Sequence, residues 1–536
     1  MKILGLGGST HDIGCCLVED GKIKIAIEEE RLSRVKNGWG MRSLNFESLA
    51  YCLGNMRIDA IDMVVTNDCF NQAILKNRLD LTRAIKINHH LSHAASAYYT
   101  SGLREAAVLV LDGEGTSYVN YDGSRSLESA SFGYANGNKI EIIKRFYGNS
   151  ISSLYTYATH ACGFGNLQEG KLMGLAPYGK ATYVNQFRNL IEDHIGGRIE
   201  TKLNREVFVD FFRNLYSKDP RADFDIKADI AYAAQTVFEE VLFDFMWKLY
   251  RETKCETLCY SGGAALNSVL NGKIKQNTPF KHVAIFPASG DSGTGIGAAL
   301  YAYHNIANQS LPVGCKLKHC YFGRTYSQEN IDEVLSRYAD KLDCQKLSYS
   351  DIYELTSAAL CESLIVGWYQ DGSEIGPRAL GNRSILANPL NKNMKDIINS
   401  KVKFREHFRP FAPIVLKDRV DDYFKECEKD NPFMLFVGNV KESKKKLIPA
   451  VTHIDGSARL QTIGEENNVK MFNLMQAYER KSGVPVLLNT SFNTKGEPIV
   501  ETPEDAIKTF LNCEIDVLII QNYYISKKAK DINTND

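Results

Sequence analysis

The stretch AAVLVLDGEGTSYVNY, residues 106–121, decides the fold. Its apolar run reads as a buried strand, Asp112-Gly113 as the turn that ends it, and TSYVNY as a second strand. FGYANGNKIEIIKRF then makes a hairpin with a Gly-Asn turn. The same theme opens the chain. KILGLGG is a strand running into glycines, and GCCLVEDGKIKIAIEEE is two strands around an EDGK turn. Strand, glycine turn, strand and hairpin thus occur twice, from Lys2 and from Ala106. Local propensity does not generate such a duplication. It predicts two similar halves facing each other across a cleft.

Beyond this, residues 226–252 have apolar positions at helical spacing. A strand (ETLCYSG) leads to GGAALN opening a helix, and a second (HVAIF) leads to SGDSGTGIGAALYAYH opening another. Strands that hand glycine turns to helix starts are how α/β folds make anion and nucleotide sites. Residues 305–348 read as a connector. A new pattern starts near Tyr349: helix SDIYELTSAALCES, strand LIVGWYQ, then a basic stretch, and at the end VPVLLNTSFN, PEDAIKTFL and DVLIIQN as strand, helix, strand. The expected domains are 1–345 and 346–536, both α/β.

Composition narrows the class. A chain of 536 residues calls for several compact units. Apolar residues at 44% and charged residues at 24% exclude disordered and fibrous classes. Lys+Arg and Asp+Glu are both 64, which argues against a nucleic-acid coat or a polybasic membrane binder. No apolar run approaches the roughly 18–20 residues that span a bilayer. MKILGLGGSTHD reaches its glycines too soon for a signal peptide. Thirteen scattered cysteines without a CxxC pair read as reduced thiols, so a cytoplasmic location is expected.

Three features carry chemistry. In NHHLSHAASAYY, His89 and His93 are at i and i+4 and share a helix face, as a common metal ion requires. His90 points about 100° away. The plain alternative is a histidine-rich helix end packed with water. Asp112 ends the AAVLVL strand, where a carboxylate is normally exposed, and Asp291 in SGDSGTG occupies the matching place after another strand. Two His with one or two Asp suit Fe(II), Mn(II) or Zn(II). The second feature is four glycine turns: GGST before His11, DGEGTS, SGGAALN and SGDSGTG. One alone would be a tight connection. Four point to a cleft for a nucleotide's phosphates, although none matches GxxxxGKS or GxGxxG. The third is electrostatic. Residues 376–409 hold Arg378, Arg383, Lys392, Lys395, Lys401, Lys403, Arg405 and Arg409 against Asp396 and Glu406. Interleaved with the turns GPRALGNRS and FRPFAP, these read as forks for phosphate rather than a solvated face. Arg459, Asn489 and Ser491 add polar groups at strand ends.

The phrases GGSTHD, EEERLSRVKNG, HHLSHAASAYY, VLDGEGTS, EGKLMGLAPYG, SGGAALN and FPASGDSGTGIGAA resemble the first domain of the NodU/CmcH family of O-carbamoyltransferases. DGSEIGPRALGNRSILANP, FREHFRPFAP, HIDGSARLQT and LLNTSFNTKGEPIVETPEDA resemble its second. The family is similar to antibiotic-tailoring enzymes such as the tobramycin carbamoyltransferase. The resemblance implies an actin/Hsp70-like first domain with two ribonuclease-H-like halves, similar to the transferase that builds threonylcarbamoyladenosine on tRNA. It implies a YrdC-like second domain. There carbamoyl phosphate and ATP, with Mg, would give carbamoyl-adenylate. In the first domain a hydroxyl of a small-molecule acceptor would take the carbamoyl group and release AMP.

Carried over by motif, His89, His93, Asp112 and Asp291 match the metal ligands, with Fe(II) the expected ion and Mn or Zn the alternatives. Gly113, Glu169, Lys171, Gly262, Gly263 and Asn267 match the adenylate pocket, and His11 a catalytic acid/base near the acceptor. Arg378, Arg383, Lys403, Arg405, Arg409, Arg459, Asn489 and Ser491 match the carbamoyl phosphate and ATP site. After EEERLSRVK the family usually has His where this chain has Asn37, which puts the acceptor's identity in doubt. The partners implied are ATP, carbamoyl phosphate and a hydroxyl acceptor from natural-product or sugar chemistry, with no nucleic acid and no membrane. The rival readings are a sugar kinase or ATPase of the same fold, which has no need of the HxxxH pair, and a tRNA-modifying enzyme, which calls for a broader basic surface.

Overall fold

The two sequence themes fold as two sheets of one topology. The computed structural model describes residues 1–38, 46–71, 79, 82, 84–119, 123, 125–148, 151–195, 205–219, 221–312, 314 and 316–528. Residues 120–121 of the opening stretch, Cys315 and the polar tail from 529 lie outside them.

Among the described residues the first sheet contains β1 (Lys2–Gly7), β2 (Gly14–Glu19), β3 (Lys22–Glu28), β4 (Met63–Asn67) and β5 (Ile85–Ile87), in the order β3-β2-β1-β4-β5. β2 runs antiparallel to β1 and β3, while β4 and β5 continue parallel to β1. The second sheet contains β6 (Glu105–Leu111), β7 (Ser117–Val119), β8 (Arg125–Asn136), β9 (Lys139–Tyr147), β10 (Thr257–Ser261) and β11 (His282–Ile285). β8 runs antiparallel to β6 and β9, and β10 and β11 lie parallel to β6. The path β9-β8-β6-β10-β11 therefore repeats the first sheet strand for strand. The first hairpin turns at Asp20 and Gly21, both at positive φ (49° and 73°), the geometry that matches strand twist. Ala106 to Leu111 are fully buried, because β6 is a central strand covered on both faces.

The amphipathic segment forms the helix Asp223–Thr253, with Asp223 and Asp225 in its first turn against the positive end of the dipole. Helix Thr294–Tyr301 lies against β1 and helix His89–Tyr99 at backbone distance. A Cβ on Gly5 would meet the Gly295 carbonyl at 2.2 Å, one on Gly7 the Gly295 nitrogen at 2.2 Å, and one on Gly297 the Ser92 carbonyl at 1.8 Å. Gly295, the last residue of the SGDSGTG turn read from sequence as a phosphate turn, and Gly297 in the helix beyond it thus serve close packing.

The chain divides into two units, Met1–Leu317 and Lys318–Asp536. The division precedes the boundary expected near 345, and hydrophobic burial is the reason. Ile331, Val334 and Leu335 of helix Gln328–Ser336, with Leu342, belong to the second unit's core. That unit contains β12 (Leu342–Lys346), β13 (Val366–Tyr369), β14 (Arg383–Ala387), β15 (Ala412–Leu416), β16 (Phe424–Lys425), β17 (Val437–Val440), β18 (Ser457–Arg459), β19 (Gln461–Ile463), β20 (Val486–Ser491), β21 (Val517–Ile520) and β22 (Tyr523–Lys527). Eight form a mixed sheet, β12-β22-β21-β13-β14-β20-β15-β19, and β16-β17-β18 form a small one. Side chains alternate between two cores, as a pleated strand requires. Trp368, Leu386, Ile414, Leu487 and Ile519 join helices Tyr349–Cys361 and Val469–Ser482. Tyr369, Ile385, Val415, Leu488 and Leu518 join helices Met394–Lys401 and Pro503–Leu511.

The twelve described cysteines are free thiols. No helix among the described residues is long and apolar enough to cross a membrane.

Candidate functional site

In the first unit, helix His89–Tyr99 starts on an Asn88 cap, whose side chain accepts from the Leu91 N–H at 2.9 Å. His89 opens the helix and His93 follows one turn later. Their Nε2 atoms lie 3.1 Å apart. Asp112 follows the last residue of β6, and its Oδ2 lies 3.1 Å from His89 Nε2 and 3.3 Å from His93 Nε2. Asp291 follows β11, with Oδ1 at 3.4 and 3.6 Å from the same nitrogens. The Gly263 N–H, at 3.1 Å, takes the other Asp112 oxygen. Gly263 is brought there by Gly262, which stands at φ 92° with no room for a Cβ beside the Leu111 carbonyl. Asp112, expected to be exposed, is 8% exposed, because the histidine helix and the Gly262–Gly263 turn cover the strand's end.

Burial pushes Asp112 up, but hydrogen bonds to both imidazoles outweigh it and hold the carboxyl well below its usual range. Asp291 is also drawn down: burial and the Asp112 charge push up, and His89 more than compensates. The set fits a divalent ion. Four buried donor atoms, two imidazole nitrogens and two carboxylate oxygens, lie within 4.8 Å of one another. His90 faces away, with Nδ1 2.8 Å from Ser131 Oγ, and burial pushes it down to about 3, so it stays neutral.

Motifs of the first sheet brace this centre. Thr294 Oγ1 donates to the Asp291 carbonyl at 2.6 Å and accepts from the Gly8 N–H and Asn67 Nδ2. Ser292 Oγ donates to Glu28 Oε1 at 3.1 Å, and Glu28 pairs with the fully buried Arg31 at 2.7 Å. The EEER run thus steadies the Asp291 loop, a role that sequence reading did not give it. A charged run at the end of an apolar strand was its available signal.

His11 is part-exposed, with Nδ1 3.2 Å from Asp12 Oδ2. Burial pulls its pKa down, while the Asp12 bond and the charges of Asp291 and Asp112 pull it up further, and the net shift is upward. The ring therefore lies within the electrostatic reach of the metal carboxylates. The Asp12 N–H donates to the Asn37 carbonyl at 2.8 Å, which places Asn37 beside His11. Asn37 stands at φ 61°, a left-handed position that Asn and His both tolerate better than most residues.

Of the predicted adenylate residues, Gly262 and Gly263 border Asp112, and Gly113 has open space where a Cβ would stand. Asn267 caps helix Ser268–Asn277 through Leu270 N and exchanges amide hydrogen bonds with Gln235 at 3.0 and 3.2 Å. Glu169 accepts from Thr156 at 3.1 Å, and Lys171 lies 5.5 Å over the Phe164 ring.

In the second unit the predicted residues separate into two groups. Arg383 is fully buried beneath Tyr369, and its guanidinium donates to the carbonyls of Gln370, Asn382, Asp371 and Glu501. Lys403, 3% exposed, donates to the Ser491 carbonyl, to the Asn493 carbonyl and to Asn493 Oδ1. Asn489 donates to the Ala379 carbonyl and Gln461, and Ser491 Oγ to Asn493. Asn489 thus joins LLNTSFN to GPRALGNRS, Arg383 joins GPRALGNRS to the backbone at 370, 371 and 501, and Lys403 joins its own loop to LLNTSFN. They were expected to meet a ligand; in the structure these donors bond protein groups, while Asn489 Oδ1 is buried without a protein partner among the described residues.

Arg378, Arg405, Arg409 and Arg459 form the other group, half-buried and mutually repelling. Burial and then Arg409 pull Arg378 down to about 10 and Arg405 to about 9. Burial, Arg378, Arg405 and Arg409 together pull Arg459 far down. Arginine keeps its proton at neutral pH, so this downward pull measures how strongly the cluster favours an anion. Glu406, 3.9 Å from Arg409, offers the cluster one carboxylate. Nε of Arg378 and of Arg459 are buried without a protein acceptor. His453, not singled out from sequence, stands beside them: Nδ1 is 3.1 Å from Ser457 Oγ, and burial with Arg459 and Lys395 outweighs Asp455 and pulls it to about 4.

Two family models match, "Carbamoyltransferase N-terminus" over residues 63–300 and "Carbamoyltransferase C-terminus" over 357–527. An uncharacterised protein of Synechocystis sp. is 32% identical over all of this chain and 98% of its own length. Nodulation protein NolNO of Sinorhizobium fredii is 32% identical over 97% of this chain and 79% of its own. Nodulation protein NolO of Bradyrhizobium diazoefficiens is 33% identical over 83% and 80%. Among solved structures, full-length HypF in a phosphate- and nucleotide-bound form is 16% identical, with a TM-score of 0.34 over 59% of this chain and 56% of its own. With both family models in order and relatives aligned along nearly its whole length, the chain belongs to the NodU/CmcH-type carbamoyltransferase family and is a carbamoyltransferase.

Proposed function

We propose that the second unit makes carbamoyl-adenylate and the first transfers its carbamoyl group to a hydroxyl of a small natural-product or sugar acceptor. The observation that carries this is the four-arginine cluster: the Nε atoms of Arg378 and Arg459, buried without a protein acceptor among the described residues, and the mutual repulsion of the four call for a phosphate-rich ligand. Carbamoyl phosphate and MgATP supply one. Release of both phosphate and pyrophosphate balances only if one water is consumed. Water splits carbamoyl phosphate into carbamate and phosphate, and a carbamate oxygen then attacks the ATP α-phosphorus as the α–β P–O bond breaks. Arg378, Arg405, Arg409 and Arg459 bind and orient the phosphates, on a scaffold held by Arg383, Lys403, Asn489 and Ser491.

The repeated sheets support reading the first unit as an actin/Hsp70-like domain, and we read the second as YrdC-like. His89, His93, Asp112 and Asp291 would hold a divalent ion, Fe(II) in our reading, which supplies Lewis-acid charge to the adenylate's phosphate. The acceptor oxygen attacks the carbamoyl carbon, the bond to the AMP oxygen breaks, and the hydroxyl proton passes to His11, an imidazole outside the ligand set that feels the charge of both carboxylates. Gly113, Gly262 and Gly263 give the adenylate close backbone approach, with Glu169, Lys171 and Asn267 beside it. Carbamoyl-phosphate-dependent exchange of labelled pyrophosphate into ATP tests the first step. No exchange with carbamoyl phosphate present overturns the adenylate route.

A further inference from the structure

The start of the metal-ligand helix is held from two sides by carboxylates outside the ligand set. Asp68 Oδ1 accepts the His89 N–H at 2.9 Å and also receives Thr116 Oγ1 at 2.9 Å. On the other side Asn88 Nδ2 donates to Glu128 Oε2 at 3.0 Å and to Thr116 Oγ1 at 2.7 Å. Glu128 is fully buried in β8. Its Oε1 accepts from Arg145 Nη1 at 2.6 Å and from Ser131 Oγ. Arg145, on the neighbouring β9, is 29% exposed and supplies the charge that a buried carboxylate needs.

This arrangement fixes more than a location. The Asn88 amide has one donating and one accepting end. An ionised Glu128 only accepts, so it takes the NH₂ end and turns the oxygen toward Leu91 N, where it caps the helix. A reversed amide would set its oxygen against the carboxylate and its NH₂ against the helix's own N–H groups. Arg145 Nη1 also donates to Asn88 Oδ1 at 3.3 Å, so Arg145 sets the direction of the amide both directly at its oxygen end and through Glu128 at its NH₂ end. His89 is the first residue of that turn and His93 stands one turn further along the same helix face.

We propose that Glu128, anchored by Arg145, is a positioning residue for the metal centre: it orients Asn88 so that the two imidazoles converge on the ion. This rests on the reading of His89, His93, Asp112 and Asp291 as ligands.

The test uses the full chain and measures the Kd for Mn(II) and Fe(II) by chelator competition, together with the thermal unfolding midpoint of the metal-free protein. Glu128→Gln should raise Kd by roughly 10- to 100-fold, the range for partners that orient metal ligands. Asn88→Asp should do likewise, by setting two carboxylates together. The double variant Glu128→Gln/Asn88→Asp restores the match, since the new amide at position 128 can donate to the new carboxylate at position 88, which still caps Leu91. Its Kd should return to within about threefold of the wild type's, well inside the loss given by the single changes. Arg145→Gln, at a part-exposed position, should loosen the ion too, and it carries the test if Glu128→Gln does not fold. A Kd unchanged in Glu128→Gln and Arg145→Gln overturns the proposal. So does a double variant no tighter than the singles, which would show that the loss does not come from the direction of the amide at position 88. A wild-type chain that binds neither ion overturns the ligand reading itself, and this proposal with it.

Discussion

In the first unit two aspartates meet two imidazoles at the ends of β6 and β11. In the second, four guanidiniums crowd together with Glu406 as the carboxylate beside Arg409. With both imidazoles deprotonated, as metal ligation requires, the first cluster is negative, and the second is positive. Each excess is held in half-buried or buried surroundings where water screens it poorly. The first favours a cation with N and O donors, the second an anion with several oxygens. On the proposed route the contrast assigns the charge chemistry of two steps to two clusters, and each should then be open to disruption without the other.

The largest expected effect comes from breaking the first cluster. His89→Ala/His93→Ala should strip the ion and abolish carbamoyl transfer, with loss of metal affinity beyond the roughly 100-fold that outer partners command. Elemental analysis and a transfer assay read this, and pyrophosphate exchange should persist. If exchange disappears with the metal, the two clusters do not divide the work.

Arg378→Ala or Arg459→Ala should have the converse effect. Each charge-assisted phosphate contact is worth about 1.5–3 kcal/mol, roughly 10- to 150-fold in carbamoyl phosphate affinity. Metal content should not change. Equal exchange rates in wild type and both variants would remove the arginine cluster from the first step.

A third change sharpens the division within the second unit. Lys403→Met removes the buried ammonium and leaves the Asn493 carbonyl without its donor, while the Ser491 carbonyl keeps the Asn493 N–H and Asn493 Oδ1 keeps Ser491 Oγ. A cost of about 1–3 kcal/mol should appear as a lower urea midpoint. A variant of normal stability that nevertheless binds carbamoyl phosphate poorly would return Lys403 to the ligand.

The smallest effect is a pH dependence. His453 is held at about 4, below its ordinary 6.5, first by burial and then by Arg459 and Lys395, with Asp455 opposing. As pH falls through 6.5 the unfolded chain takes this proton before the folded one. Stability should therefore decline between about 6.5 and 4 and level off below. The slope of unfolding midpoint against pH should be shallower in His453→Asn. An identical slope in the two proteins would show that His453 does not titrate as described.

The meeting of two imidazoles and two carboxylates was legible because its signals are geometric: i and i+4 on a helix, and a carboxylate directly after an apolar strand. The duplicated sheet was legible for the same reason, since two-residue alternation and glycine turns recur in order. The basic stretch was legible only as a total. Whether Arg383 or Arg378 faces a ligand depends on which way each segment turns over β14, and charge counts carry no direction. The boundary moved because helix Gln328–Ser336 is amphipathic and could complete either core; Ile331, Val334 and Leu335 complete the second. His453 lies within HIDGSARLQT, but nothing in the local pattern shows that it stands beside Arg459.

The bare contact between β1 and helix Thr294–Tyr301 bears on how this chain can change over generations. Gly5 and Gly7 touch no predicted ligand, yet even one added methyl on either would strike the backbone of Gly295 at 2.2 Å. The helix they support begins just after Asp291. In a saturation library selected for activity, both positions should therefore tolerate nothing but glycine, while exposed Val119 accepts broad replacement. The opening strand is fixed by a neighbour nearly three hundred residues away, so a recombinant that takes its first strand from one relative and its last glycine helix from another must inherit the two as a pair.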